Sequence, residues 1–330
     1  MKLREILEQR EYETLSPFAM KVKESKGRER EEKKCDLRTD YQRDADRIIH
    51  SKAFRRLMHK TQVFLSPSKD HYRTRLTHTL EVSQIARAIA RGLKLNENLA
   101  EAIALGHDLG HTPFGHTGEY VLNEICEHGF KHNEQSIRVV EVLEKEKGLN
   151  LTWEVKDGIL NHTGSSVAST LEGKIIKFAD RIAYINHDVD DAIRANVLSK
   201  ETLPKEYISV LGETHSERIN NMIVNIIENS KDINDIKMSD DVYDAMLGLR
   251  SFMFENVYLS KTVKKEEDKS KGVVKTLYEY FIDNIEKLPD EYLKMLESNE
   301  KSRVVCDYIA GMTDRYAIKL FEEIFVPKSY

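Results

Sequence analysis

The sequence predicts an almost all-α protein. Three observations carry that expectation. Gly and Pro, which punctuate turn-rich sheets, are scarce, at 15 and 6 in 330 residues. Apolar residues recur at three- and four-residue steps through long charged segments, the pattern of amphipathic helices rather than of alternating strands. Strand-like character is confined to residues 61–77, TQVFLSPSKDHYRTRLT, where a β-branched and aromatic stretch broken by SPSKD leaves room for one small β-hairpin or an irregular loop.

Composition narrows the class. With 40% hydrophobic residues the chain has ample material for a core. The net charge of -5, from 51 basic and 56 acidic residues, offers no global attraction to nucleic acid or anionic membrane, so any anion site is local. Cys35, Cys126 and Cys306 are odd in number and widely spaced, which fits a reducing cytoplasm rather than a disulfide framework. The N-terminal MKLREILEQREYETLS is too charged for a signal peptide. No apolar run approaches the roughly 18 residues of a membrane span, so a soluble, untargeted protein is expected.

Residues 1–35 read as a charged N-terminal arm, a short helix followed by a mobile stretch, because GREREEKK offers little to bury. Between residues 36 and 60, Arg38, Arg43, Arg47, Arg55 and Arg56 are interleaved with Asp40, Asp44 and Asp46. This is either a salt-bridged helix face or a polyphosphate or subunit contact made by arginine forks, and the pattern leaves both open. Beyond it, Val82, Ile85 and Ile89 continue the helical stripe that begins at His78, so His78 points inward. In NENLAEAIALGHD, Leu99, Ile103 and His107 share one face, and a second histidine faces the core.

Residues 107–119, HDLGHTPFGHTGE, concentrate three histidines, an aspartate and a glutamate among three glycines and a proline. Packing alone does not call for that density of titratable groups. Gly106 and Gly110 allow close backbone approach, and His111 lies one turn beyond His107, bordering the same pocket. Thr112 and Pro113 resemble a helix start. His116 and Glu119, three apart, form a candidate acid–base pair, since a carboxylate partner raises the basicity of an imidazole.

In KHNEQSIRVVEVL, His132, Asn133 and Glu134 fall at a helix N-terminus, where capping would account for Asn133. His162 follows a helix, and its default role is a charge partner for that helix's C-terminus. In LEGKIIKFADRIAYINHDVDDAIRA, Ile175, Phe178, Ile182, Ile185 and Val189 form a buried stripe. Asp180, Tyr184 and Asp188 form a second stripe at four-residue steps, which reads as a pocket wall. His78, His107, Asp108 and Asp180 then make a mixed nitrogen and oxygen site suited to Mn, Fe, Ni, Mg or Zn with positions open for water and substrate. Residues 196–330 are helical by pattern, with KTVKKEEDKSKG at 261–272 read as a surface loop.

The blocks QRDADRIIHSKAFRRLMHKTQVF, TRLTHTLEV, GHDLGHTPFGHTGE, HNEQSIRVV and ADRIAYINHDVDDA, with a weaker echo in GMTDRYAIKLFEEIF, resemble the HD-domain phosphohydrolase superfamily and within it the deoxyguanosine triphosphate triphosphohydrolase family. The resemblance implies an HD-domain helical bundle over residues 36–200 and a C-terminal helical region, 201–330, packed on it. It implies that one divalent ion, Mn or Mg foremost, is held by His78, His107, Asp108 and Asp180, and that His116 with Glu119 activates or positions the attacking water. Attack at the α-phosphorus would yield a deoxynucleoside and tripolyphosphate. Arg75, His111 and Arg181 would neutralise the phosphates, and Gln62 would contact the sugar 3′-hydroxyl. Tyr184 and Asp188 would wall the sugar, with Asn133 a further substrate contact. Members of the family are commonly homo-oligomers, hexamers or tetramers, and some bind an activating nucleotide between subunits, for which the arginine-rich stretch at 38–56 is a candidate.

Two other readings remain. One is an HD phosphohydrolase acting on another phosphate ester, such as a nucleoside monophosphate or cyclic nucleotide. The other is a non-catalytic nucleotide sensor or single-strand nucleic-acid binder, against which the His116 and Glu119 pair argues, because binding alone needs no general base.

Overall fold

The computed structural model describes residues 2–62, 73–195, 197–258 and 261–328, without side chains at 258 and 261–263. Among these residues there are sixteen α-helices and no β-strand, as the sequence leads one to expect. Among the described residues, strand-type pairing is limited to isolated bridges between Arg28 and Thr152 and between Thr61 and Thr74. The hairpin considered for residues 61–77 falls mainly on residues 63–72, outside the described residues. No described helix is long and apolar enough to cross a membrane.

In chain order the helices are α1 (Leu3–Thr14), α2 (Asp40–Ile49), α3 (Lys52–Arg56), α4 (Arg75–Gly92), α5 (Glu97–Gly106), α6 (His116–Ile125), α7 (His132–Arg138) and α8 (Trp153–Asn161). They continue with α9 (Leu171–Arg194), α10 (Lys205–Leu211), α11 (His215–Ser230), α12 (Asp240–Met253), α13 (Lys261–Asp283), α14 (Asp290–Leu293), α15 (Lys301–Ala310) and α16 (Asp314–Phe325). Capping sets where the site-bearing helices begin. The side chain of Thr74 accepts from the Thr77 amide at the start of α4, and that of Asn96 accepts from the Asn98 and Leu99 amides at the start of α5. Thr170 does the same for α9 through Gly173.

Two apolar cores result. The first packs α4 against α5 and α9, with Val82, Ile89, Leu99, Ile103, Ile175, Ile182 and Val189 all fully buried. Fully burying a Val, Leu or Ile side chain stabilises by about 1.5–3 kcal/mol. Phe178, expected in the buried stripe of α9, is only partly buried. The second core joins Val121 and Leu122 of α6 to Val274, Leu277 and Phe281 of α13 and to Val304, Val305 and Ile309 of α15. Packing therefore does not divide at residue 200: Leu211, Met222, Ile226, Met246 and Leu249 belong to the first core, whereas α6 contributes to the second.

Two expectations are corrected. The segment after α1 does not project as a loose arm, because its polar groups dock on the core. Ser25 Oγ donates to Glu154 at 2.6 Å, and Arg28 pairs with the fully buried Asp44 and donates to the Asn150 carbonyl at 2.6 Å. Residues 261–272 are not a loop but the first half of α13. Their charges pair along the helix, Lys269 with Glu266 at 2.7 Å and Lys271 with Asp268 at 3.2 Å, so the run is a solvated helix face.

Much of the arginine-rich stretch is committed within the chain. Arg47 forks onto Glu32 at 2.6 and 2.7 Å and caps the carbonyls of Leu149 and Asn150, Arg43 reaches Glu32 at 3.1 Å, and Arg38 pairs with Asp46.

Candidate active site

The histidine and aspartate residues singled out from the sequence converge where α4, the end of α5 and the middle of α9 meet. His78 and His107 are buried at 1% and 0% exposure, a degree of desolvation that calls for specific partners. His78 Nε2 is 3.0 Å from Asp180 Oδ1. His107 Nε2 is 3.4 Å from Asp108 Oδ1 and 4.0 Å from Asp180 Oδ1. Ligand atoms of His78, His107 and Asp108 lie within 4.8 Å of one another, close enough to share one metal ion. The chemistry of the donors fits: His107 Nδ1 donates to the Ala104 carbonyl at 2.6 Å, which leaves the Nε2 lone pair free, and that atom has no hydrogen-bond partner.

Charge distribution follows from this crowding. Burial pushes His78 toward the neutral form, but the Asp180 carboxylate more than offsets it and holds the ring above its ordinary value. Asp108 is held well below the usual carboxylate range: burial opposes ionisation, and His111, His107 and Arg75 outweigh it. Arg75 is 1% exposed and donates from one guanidinium nitrogen to Asp108 Oδ2 at 2.9 Å, while its Nε and second terminal nitrogen are buried without a partner. An unpaired buried guanidinium edge is costly, and an anionic ligand would relieve it.

The loop after α5 depends on close approach. A Cβ added to Gly110 would lie 2.2 Å from the Ser136 amide nitrogen and 2.3 Å from the His132 carbonyl oxygen, so only glycine lets this loop sit against α7. Thr112 does not start the next helix, in contrast to the sequence expectation. Its hydroxyl donates to the Gly115 carbonyl at 2.8 Å, Phe114 and Gly115 adopt φ of 61° and 58°, and α6 begins at His116.

A second group, His111, His116, Glu119 and His132, also has ligand atoms within 4.8 Å. His116 is exposed, and its Nδ1 lies 2.9 Å from Glu119 Oε2. Glu119 Oε1 accepts from both the amide and Nδ1 of His132, at 2.8 and 2.9 Å. These bonds outweigh burial and hold the Glu119 carboxyl far below its ordinary range. His111 stacks on His132 with ring centroids 4.0 Å apart and is pushed well toward neutrality by burial and by Arg75.

His162 corrects a sequence expectation. It is not a charged helix partner: burial, then His107 and His132, push it down to about 3, and its Nδ1 sits 2.7 Å from the Ile159 carbonyl. Its Nε2 is 3.3 Å from His132 Nε2, so both nitrogens of His132 face acceptors. Neither His132 nor His162 carried a spacing signal toward this group, because each arrives from a separate element.

The remaining candidates divide. Gln62 stands beside the site, its Oε1 buried without a hydrogen-bond partner. Tyr184 is part-buried on α9, its phenol pushed up to about 12 by burial, and Asp188 is buried one turn further on. Arg181 is directed to the Tyr243 hydroxyl at 3.2 Å. Asn133 does not cap α7 but ties it to α8, donating to the Leu160 carbonyl at 2.7 Å. A separate cavity of about 500 Å³ lies behind Gly110, lined by Arg56, Lys60, Gln135 and Tyr292, and contains none of the four candidate metal ligands.

This arrangement corresponds to a recognised class. Residues 75–185 match the HD domain and residues 236–323 match the phosphohydrolase-associated domain, so the class is that of HD-domain phosphohydrolases. More narrowly, the chain belongs to the deoxyguanosinetriphosphate triphosphohydrolase-like family. It is 61% identical over 331 residues to such a protein from Caldanaerobacter subterraneus subsp. tengcongensis, covering 100% of this chain and 98% of that one. It is 50% identical over 338 residues to one from Clostridium perfringens strain 13, covering 99% of each. A solved phosphohydrolase from Bacteroides thetaiotaomicron shares the fold, with a TM-score of 0.54, 18% identity and coverage of 84% of this chain and 68% of that one.

Proposed function

We propose that this protein hydrolyses deoxynucleoside triphosphates of the dGTP type at the α-phosphate, releasing a deoxynucleoside and tripolyphosphate. The observation that carries the reading is the adjacency of two groups, joined through His111, whose Nδ1 lies 2.8 Å from Asp108 and whose ring stacks on His132. One group suits a cation and the other suits proton transfer. The names of the full-length relatives support the substrate class.

His78, His107, Asp108 and Asp180 would hold one divalent ion, Mn or Mg foremost and Fe, Ni or Zn compatible with the same donors. Such an ion supplies Lewis-acid polarisation of a phosphoryl oxygen when bound. His116, its Nδ1 occupied by Glu119, offers Nε2 to take a proton from the attacking water. The bond formed is from water oxygen to the α-phosphorus, and the bond broken is from that phosphorus to the sugar 5′-oxygen, which leaves with a proton. Arg75 and His111 border the developing phosphoryl charge, Arg181 would reach it on leaving Tyr243, and Gln62 offers its unpartnered oxygen to the 3′-hydroxyl. Tyr184 and Asp188 would wall the sugar, and a Tyr184 ring packed against C2′ would exclude a 2′-hydroxyl by bulk. Asn133 would be a further substrate contact. A homo-oligomer of four or six chains in the cytoplasm, with an activating nucleotide between subunits, completes the reading.

Incubation with dGTP and Mn or Mg tests it. Equimolar deoxyguanosine and tripolyphosphate are expected; dGMP with pyrophosphate, or turnover only of monophosphates or cyclic nucleotides, would overturn it in favour of another phosphate ester. Tight nucleotide or single-strand binding without turnover would leave a binding module.

A further inference from the structure

We propose that Asp314, from the C-terminal region, is a positioning residue that sets the active site's two sides against each other; the inference rests on the hydrolase reading above. Asp314 opens α16 and is 7% exposed. Its Oδ1 accepts from the Phe114 amide at 2.9 Å, and its Oδ2 accepts from the Thr61 amide at 2.9 Å and from the Thr61 hydroxyl. One carboxylate thus joins three distant stretches of chain.

Both anchored stretches lead directly into the site. Phe114 precedes Gly115 and His116, and its left-handed backbone is one that a bulky side chain rarely adopts, so its amide direction needs an external acceptor. Thr61 precedes Gln62 and pairs with Thr74, the cap of the helix that carries Arg75 and His78. Where the two meet, a Cβ on Gly115 would lie 2.8 Å from an Arg75 guanidinium nitrogen and 3.5 Å from the Gln62 carbonyl oxygen, which shows how little slack separates them.

The usual role of an acid at a helix N-terminus, balancing the helix dipole, does not account for this. Capping of α16 is already done by Thr313, whose hydroxyl accepts from Tyr316 at 3.2 Å. Lys60 repeats the connection from the other side: buried at 3% exposure, it donates to the Ala310 carbonyl at 2.8 Å and to the His111 carbonyl. The phosphohydrolase-associated region thereby acts on catalysis without touching substrate, through Gln62 and His116.

The test compares full-length wild type, Asp314→Asn and Thr61→Val by amide hydrogen exchange and by kinetics. Asn keeps the shape but turns an amide donor toward one of the three donors. Expected for Asp314→Asn is faster exchange in peptides covering 57–62 and 111–118, with α15 still protected, bound metal unchanged, and kcat for dGTP lowered about 10- to 100-fold with little change in KM. Thr61→Val, which removes one bond, should fall between. Exchange raised uniformly along the chain, or unchanged at both peptides, or kcat retained, overturns the proposal. If Asp314→Asn does not fold, Thr61→Val decides: wild-type exchange at 57–62 overturns it, and a local increase with lowered kcat supports it. Absence of tripolyphosphate from the wild type would instead sink the hydrolase reading, and the exchange pattern alone would then decide on Asp314.

Discussion

His78 Nε2 and Asp180 Oδ1 lie 3.0 Å apart although 102 residues separate them, and the contact ties α4 to α9 at the floor of the site. Removing the acid takes from His78 its hydrogen-bonded carboxylate and from His107 one of two nearby acids, Asp108 remaining at 3.4 Å. Asp180→Ala is expected to lose both bound metal and turnover. His116→Ala should keep its metal and lose roughly 10²- to 10⁴-fold in kcat, the range for a general acid–base group. Elemental analysis alongside initial rates separates the two, and equal metal loss in both variants would contradict the assigned roles.

Tyr184 should govern the choice between deoxyribose and ribose. Shortening it to Ala is expected to narrow the preference for dGTP over GTP by roughly 10- to 100-fold in kcat/KM, the scale of one small group in a shaped pocket. An unchanged ratio would remove Tyr184 from the sugar wall.

Gly110 admits no side chain. A methyl group there would press on backbone atoms of α7, which cannot swing aside, so Gly110→Ala should cost about 1–3 kcal/mol. A fall in the urea midpoint measures it; a neutral result would mean that α7 is free to shift.

Asp44 is fully buried and accepts from Arg28 and from the Thr152 amide and hydroxyl, at 2.9 and 2.7 Å for the latter two. Asp44→Ala leaves the buried Thr152 amide and hydroxyl without their acceptor, while Arg28 keeps Glu32 at 3.0 Å and the Asn150 carbonyl, and it should destabilise by about 1–3 kcal/mol. Arg38→Ala, at an exposed pair, should barely move the midpoint.

Lys60 makes stability depend on pH. Burial, then Arg56, push its ammonium down to about 7, whereas in the unfolded chain it titrates near the ordinary lysine value of 10.5. Between those values the unfolded state binds more protons, so stability rises with pH. Below about pH 7 both states are protonated and the cost of burying the charge is present in full. Relative to Lys60→Met, the wild type should gain on the order of 2 kcal/mol from pH 7 to pH 9. Parallel stability curves for the two proteins would refute the shift.

What could be read in advance depended on periodicity. His78, His107 and Asp180 lie on helical faces whose apolar neighbours repeat every three or four residues, so their inward direction was legible without coordinates. His132 and His162 were not, because they meet through the ends of α7 and α8, and no local spacing encodes how two helix ends converge. The charged run at 261–272 misled for a related reason: composition argued for a loop, but α13 buries Val274, Leu277 and Phe281 further along and carries its polar start with it. The docking of residues 17–35 rests on carboxylates more than a hundred positions away, Glu154 above all, which no window along the chain contains.

One consequence follows from the double allegiance of α6. Its first turn presents His116 and Glu119, while Val121 and Leu122 are sealed beneath α13 and α15. A shortened protein ending after α9 would strip those apolar residues of their cover, and Gln135 and Arg138 of α7 would lose Asp307. The candidate site is therefore not an autonomous cassette, and grafting it elsewhere would require transplanting the distal helices with it.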